Sequence, residues 1–268
     1  MSSRIRVGVV LITVFTFGLV YGGIPLFLIM SFVACYCVFE LWNMLKNIDK
    51  SFSLPLGIAF SMAFLVDSYF FGGVYTDIII LSALIASFIY GLFTKDDKIS
   101  PIENTSLCIF AIIYCGFTFG KFIMLRNISM EVAIFTLLLV WGNDVFCFHV
   151  GKKRGKNKLV PKISPNKTVE GAIAGLILTP ILGVIYKVVV IKIGATGFNY
   201  SYLTVIILGI VIAIFSQFGD LVESAIKRQV GVKDSGKLLR GHGGMVDRFD
   251  SMVLTAPIVY YILSHIIC

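Results

Sequence analysis

Apolar residues fill long stretches of this chain, and polar ones gather in a few intervals. Nine apolar stretches stand out, at 7–21, 24–42, 54–71, 74–93, 105–120, 130–150, 169–190, 202–222 and 249–267. Most come close to the ~20 residues that a helix needs to cross a hydrocarbon core. Lipid offers no partner to backbone amides, so each stretch is expected to be helical. Gly22-Gly23, with Pro25 just beyond, joins the first pair, and Gly72-Gly73 joins the second. Such pairs predict tight turns with little chain outside the bilayer. The fold class expected is all-α, a polytopic integral membrane bundle of about nine transmembrane helices. Residues 1–120 form the N-terminal spans 1–5. Residues 121–268 form spans 6–9, with two long polar loops at 151–168 and 223–248.

Composition removes the other classes. The 268 residues are 57% hydrophobic and 14% charged, whereas a soluble domain carries about 25% charged residues. The chain is too apolar to be soluble or disordered, and nine spans leave no room for a sizeable water-soluble domain. Any chemistry belongs to the bundle and its loops. The formal charge of +8 raises nucleic acid as a partner only if it is spread as on a soluble protein, and it is not. Inner segments take Arg4, Arg6, Lys46, Lys50, Lys95 and Lys98, with seven basic residues in the 151–168 loop and six in the 223–248 loop. Only Lys121, Arg126, Lys187 and Lys192 fall outside. This bias predicts a cytoplasmic N-terminus and the bilayer, not nucleic acid, as partner. The basic start and first apolar run have the look of a signal peptide. No small-x-small pattern follows, so an uncleaved first span is expected. The six cysteines form no CxxC pair and mostly lie mid-span, which favours buried small hydrophobes over disulfides or metal ligands.

The two halves differ in acidic residues. Glu40, Asp67 and Asp77 read as interfacial carboxylates near span ends. In the second half, Asp144 and Asp220 each follow an apolar run, and a carboxylate at membrane depth is costly unless paired or metal-bound. On a helix, Glu223 and Ser224 share the face of Asp220, and Lys227 and Arg228 extend it by a turn. After Gly241-His242-Gly243-Gly244 come Asp247 and Asp250, three apart. Carboxylates gathered at one membrane surface repel one another unless a cation joins them. Oxygen ligands suit Mg²⁺, which binds through one or two carboxylates plus substrate phosphates. Nearby Lys and Arg suit the remaining phosphate charge, and glycines let backbone N–H groups approach an anion. Ser164-Pro165-Asn166-Lys167-Thr168 lies just before the seventh span. It reads either as an anion site at a helix N-terminus or as an ordinary cap. The basic run before it suits anionic lipid head groups equally well.

The run SAIKRQVGVKDSGKLLRGHGGMVDRFD, from Ser224 to Asp250, closely resembles the signature of the CDP-diacylglycerol synthase (phosphatidate cytidylyltransferase) family. The matching positions are Ser224, Lys227, Arg228, Lys233, Asp234, Gly236, His242, Gly243, Gly244, Asp247, Arg248 and Asp250. KLVPKISPNKTVEG, ending at Gly171, is similar to the family's second motif. The chain departs from the usual family pattern at Arg240, Asn166, Val169 and the residues after Asp144.

The resemblance implies an enzyme, a nucleotidyltransferase of phospholipid biosynthesis. It would join phosphatidate and CTP into CDP-diacylglycerol with release of pyrophosphate, using Mg²⁺ and, in one version, a second cation. Asp220, Asp247, Lys227 and Arg228 are the expected catalytic residues. Asp220 and Asp247 would hold metal, with Asp250 and Asp144 supporting. Ser164, Asn166, Lys167 and Thr168, with Lys227, Arg228 and Lys233, would handle phosphates; Asp234, Gly243, Gly244 and Arg248 complete the expected cofactor-binding set, and His242 is either a phosphate donor or a turn residue. His149 and His265 read as structural. The expected setting is the inner (plasma) membrane with the site facing the cytoplasm, and a homodimer is a further expectation. Two alternatives stay open: a CTP-dependent kinase of a lipid alcohol, and a cation or lipid transporter, which should show repeat symmetry that this chain lacks.

Overall fold

The computed structural model describes residues 13–94, 100–236 and 243–267. His242, Lys237, Arg240 and the start of the first apolar stretch lie outside them. The described helices are α1 (13–21), α2 (Gly23–Leu45), α3 (Leu54–Phe70), α4 (Thr76–Phe93), α5 (Pro101–Ala111), α6 (Thr118–Ile128), α7 (Met130–Arg154), α8 (Val169–Lys192), α9 (Tyr202–Gln229) and α10 (Val246–Ile267). Seven are long and apolar enough to cross a membrane, counting α5 to α6 as one span from Pro101 to Ile128. The protein is an all-α polytopic membrane bundle. It divides into two compact units, one of residues 1–124 and 229–248, the other of 125–228 and 249–268.

In the first unit the tight turns have visible causes. Gly22, Gly23, Gly72 and Gly73 all have positive φ, which glycine adopts without a Cβ penalty. Asp67, expected at the interface, is buried instead. Its carboxylate accepts from the Tyr75 amide at 2.9 Å and the Thr76 hydroxyl at 3.0 Å, which closes the α3–α4 turn. The fifth span runs further than its apolar core suggests. A π-helical turn at Ile112–Phe117 links α5 to α6, and the helix continues to Ile128. Lys121, expected in an outer loop, is therefore helical and only 4% exposed. Its ammonium lies 3.5 Å from the Met124 sulfur and 5.1 Å from the Phe117 ring centre.

In the second unit glycines set the helix spacing. A Cβ on Gly171 of α8 would stand 2.6 Å from the Cys147 carbonyl of α7, and one on Gly209 of α9 would stand 2.6 Å from Pro180 Cα of α8. Close backbone approach through small residues is how membrane helices pack when lipid removes the hydrophobic drive. Ile173, Ile177, Ile181 and Ile185, spaced by four on α8, are all half-exposed or more. They form an apolar stripe suited to acyl chains. Lys187, also expected outside, is buried and donates to the Tyr200 carbonyl. The interval at 151–168, expected to be a loop, holds the last turn of α7 and an antiparallel hairpin of β1 (Lys158–Val160) and β2 (Ser164–Thr168). The five cysteines described are all free thiols.

Candidate active site

Each unit carries its own acidic group. In the second unit α9 presents Asp220 and Glu223 one turn apart, and α10 presents Asp250. One carboxylate oxygen from each lies within 4.8 Å of the other two. Glycine makes this possible, since a Cβ on Gly219 would run into the Asp250 carbonyl where α10 crosses α9. Two lysines answer the charge. Lys167, at the end of β2, meets Asp220 Oδ2 at 2.7 Å, and Lys227 meets Glu223 Oε2 at 2.7 Å, a turn further along α9. Glu223 is 1% exposed. A buried carboxylate is tolerated only when such partners are at hand. Ser224 donates to Asp220 Oδ1 at 3.3 Å.

Asp144 of α7 is held by hydroxyls. Ser251 of α10 lies 3.3 Å from its Oδ2 and Ser216 of α9 lies 3.4 Å from its Oδ1. Behind it, buried Asn143 donates to Ser216 and accepts from Gln217 and Thr179 at 3.2–3.4 Å. Each polar group here finds a neighbour on another helix, as burial demands. Asp144, Lys167 and Asp220 line one cavity of about 580 Å³, which also has Lys152, Asn166 and Gln217 on its wall.

The β1–β2 hairpin carries the second motif. Glu170 accepts from the backbone amides of Lys156 and Asn157 at 3.0 and 3.1 Å, tying the hairpin's first residues to α8. Arg228 donates to the Ile163 carbonyl at 3.2 Å, tying α9 to the hairpin turn. Thr168 is the N-cap of α8, its hydroxyl accepting from the Gly171 amide at 3.2 Å. The capping alternative is therefore realised for Thr168. Ser164 is half-buried and Asn166 exposed.

The first unit holds the remaining motif residues. Asp247 stands in the first turn of α10, and its Oδ2 accepts from the Gly244 amide at 2.7 Å, the Ser235 amide at 2.9 Å and the Ser235 hydroxyl at 3.1 Å. Gly243 has φ of +80°, a backbone state that a side chain would strain. Lys233, Asp234 and Arg248 are exposed. Glu40 of α2 is not an interfacial carboxylate but lies buried against this same loop.

Sequence reading gave Glu223 a face but no role, and its cue was the three-residue spacing from Asp220. Asn143, Ser216, Gln217 and Ser251 were missed, since isolated amides and hydroxyls in apolar helices gain meaning only from the helix opposite. The oxygen set is suited to a hard divalent cation. Mg²⁺ takes six oxygens at about 2.0–2.1 Å, which places ligand atoms roughly 3–4 Å apart. Asp220, Glu223 and Asp250 already stand near that separation.

Fold and side chains together define a class: a polytopic membrane protein with a cluster of carboxylates that could hold a metal ion. The sequence matches the cytidylyltransferase family over residues 2–266, and the chain belongs to that family. It is 34% identical over 273 residues to a phosphatidate cytidylyltransferase of Bacillus subtilis (strain 168), covering 98% of each chain. It is 35% identical over 272 residues to one of Staphylococcus saprophyticus, covering 99% of this chain and 100% of the relative. One of Staphylococcus aureus (strain COL) is 34% identical over 267 residues, covering 98% and 99%.

Proposed function

We propose that this protein is a membrane nucleotidyltransferase that makes CDP-diacylglycerol and pyrophosphate from CTP and phosphatidate, with Mg²⁺ as cofactor. The observation that carries the site assignment is the trio Asp220, Glu223 and Asp250, with oxygens within 4.8 Å of one another and Lys167 and Lys227 as ion-pair partners. The names of the full-length relatives point to the same reaction.

Asp220, Glu223 and Asp250 would hold the metal, with Asp144 beside Asp220 in the same cavity. Asp247, a position of the family motif, orders Ser235 and Gly244 through its carboxylate. A divalent ion bound there supplies charge neutralisation and alignment for phosphate oxygens. A phosphate oxygen of phosphatidate attacks the α-phosphorus of CTP, a new P–O–P bond forms, and the bond to the β-phosphate breaks as pyrophosphate leaves. The phosphate monoester is already anionic at neutral pH, so no strong general base is needed. The chain's task is to bring two anions together. Lys167, Lys227 and Arg228 contribute positive charge, and the cavity wall adds the Lys152 ammonium and the neutral Asn166 amide. The basic bias of the inner segments supports a site facing the cytoplasm of a plasma membrane, where CTP is available.

The test is product analysis with purified protein, phosphatidate in detergent micelles and α-labelled CTP. The expected result is Mg²⁺-dependent label in a nucleotide-bearing lipid with equimolar pyrophosphate. Release of CDP with a newly phosphorylated lipid alcohol would instead establish the kinase.

A further inference from the structure

Glu40 lies 195 residues before Ser235 and 206 before Val246, yet its Oε2 accepts from the Ser235 hydroxyl and the Val246 amide, each at 2.9 Å. It is 2% exposed. Gly236 and Gly244 pack against it so closely that a Cβ on either would run into the carboxylate. The Val246 amide opens α10 and has no partner within its own helix. A carboxylate at that point also suits the positive end of the helix. Asp247 is the next residue, and the same Ser235 hydroxyl is 3.1 Å from its Oδ2. A serine hydroxyl has one proton to give. It therefore bridges the two acids, while the Ser235 and Gly244 amides hold Asp247 from the other side.

We propose that Glu40 is a positioning residue of the transferase. From α2 it fixes Ser235 and Gly236 on one side and Gly244 to Val246 on the other and, through Ser235, sets the orientation of Asp247. Glu40 contacts no substrate in this role. Its carboxylate is the template against which Ser235, Gly236, Gly244 and Val246 pack, and the residues at 236 and 244 are glycines because that carboxylate occupies the space a side chain would need. The proposal rests on the reading of the chain as a cytidylyltransferase that uses Asp247.

Glu40→Leu removes both acceptors at similar size, and Glu40→Gln keeps an oxygen for Ser235 and Val246. Hydrogen–deuterium exchange of the metal-free protein reads the loop directly, and steady-state CTP turnover reads its consequence. The expected result for Glu40→Leu is exchange at least tenfold faster in peptides spanning 235–250, with α3 to α5 unchanged and kcat down by 100-fold or more. Glu40→Gln should restore slow exchange and bring kcat to within about fivefold of the parent. Ser235→Ala covers the case in which Glu40→Leu does not fold, and should speed loop exchange and lower kcat about tenfold. Wild-type exchange and kcat in Glu40→Leu, or in Ser235→Ala if the former is unfolded, would overturn the proposal. So would a Gln variant as impaired as the Leu variant. Asp247→Asn is the control for the underlying reading. If it turns over normally while Glu40→Leu loosens the loop, the site assignment fails and the loop template stands.

Discussion

The acidic groups of the two units solve the same problem in opposite ways. Asp220 and Glu223 in the second unit are balanced by ammonium groups, Lys167 and Lys227, each 2.7 Å from a carboxylate oxygen. Glu40 and Asp247 in the first unit are held by backbone amides of Ser235, Gly244 and Val246 and by one hydroxyl. Lysine is a mobile point charge that can exchange a carboxylate for a phosphate. A backbone amide cannot leave without unfolding its loop. In the proposed reading the lysine-balanced trio can release its partners to a metal and a triphosphate, whereas the amide bonds to Glu40 and Asp247 hold their backbone partners in shape. Charge alone does not separate a ligand site from a scaffold; the mobility of the counter-groups does.

The sharpest break of this comparison comes at Asp220. Asp220→Asn removes a ligand of the proposed metal and leaves Lys167 without its ion pair, and kcat should fall by ~10³-fold or more, the several kcal/mol a metal contact supplies. The bundle should still melt near the parent temperature, which circular dichroism in detergent would show. Glu223→Gln comes next. It keeps the buried shape but removes one charge from the trio and the partner of Lys227, so a loss of ~10²-fold and a higher Mg²⁺ requirement are expected. A Mg²⁺ titration of activity separates this from a simple packing defect, which would leave the half-saturating concentration alone.

Most of the fold was legible from apolar runs, because lipid forces every spanning segment into a helix. The exceptions share one cause. Lys121 reads as a loop residue because a lone cation after an apolar run suggests a boundary, yet it lies within a helix, close to the Phe117 ring. Lys187, read at the outer end of its span, is buried there close to the Tyr202 ring. Asp220 was legible as an acid ending an apolar run and Asp250 as part of the Ser224–Asp250 motif, and Glu223 was visible on the face of Asp220. Glu40 was not, since its partners lie some 200 residues away and nothing local marks it. The β1–β2 hairpin was missed because its strands are short and polar, and their register depends on Glu170 binding the backbone at Lys156 and Asn157.

The scaffold side breaks more gently. Gly244→Ala places a methyl group against Ser235 Oγ and both Glu40 oxygens. Overpacking of this kind costs about 1–3 kcal/mol. The amide bond to Asp247 should loosen with it, and we expect a loss of activity of roughly tenfold, with a lower melting temperature and an unchanged Mg²⁺ requirement. That last reading distinguishes it from Glu223→Gln and marks the loop as framework.

The smallest effect belongs to Thr168, where the comparison can be tested within the second unit. Its side chain is buried and its hydroxyl accepts from the Gly171 amide at the start of α8. That acceptor duty is the work of a helix cap, and it leaves the hydroxyl proton available to a second partner. Thr168→Ala should therefore lower stability by about 1 kcal/mol, and Thr168→Ser should restore it because the cap needs only the oxygen. If the hydroxyl served CTP directly, the alanine variant would raise KM for CTP by tenfold or more at unchanged stability. The geometry favours the first outcome, with KM altered by no more than about twofold, since Lys167 one residue earlier keeps its place beside Asp220.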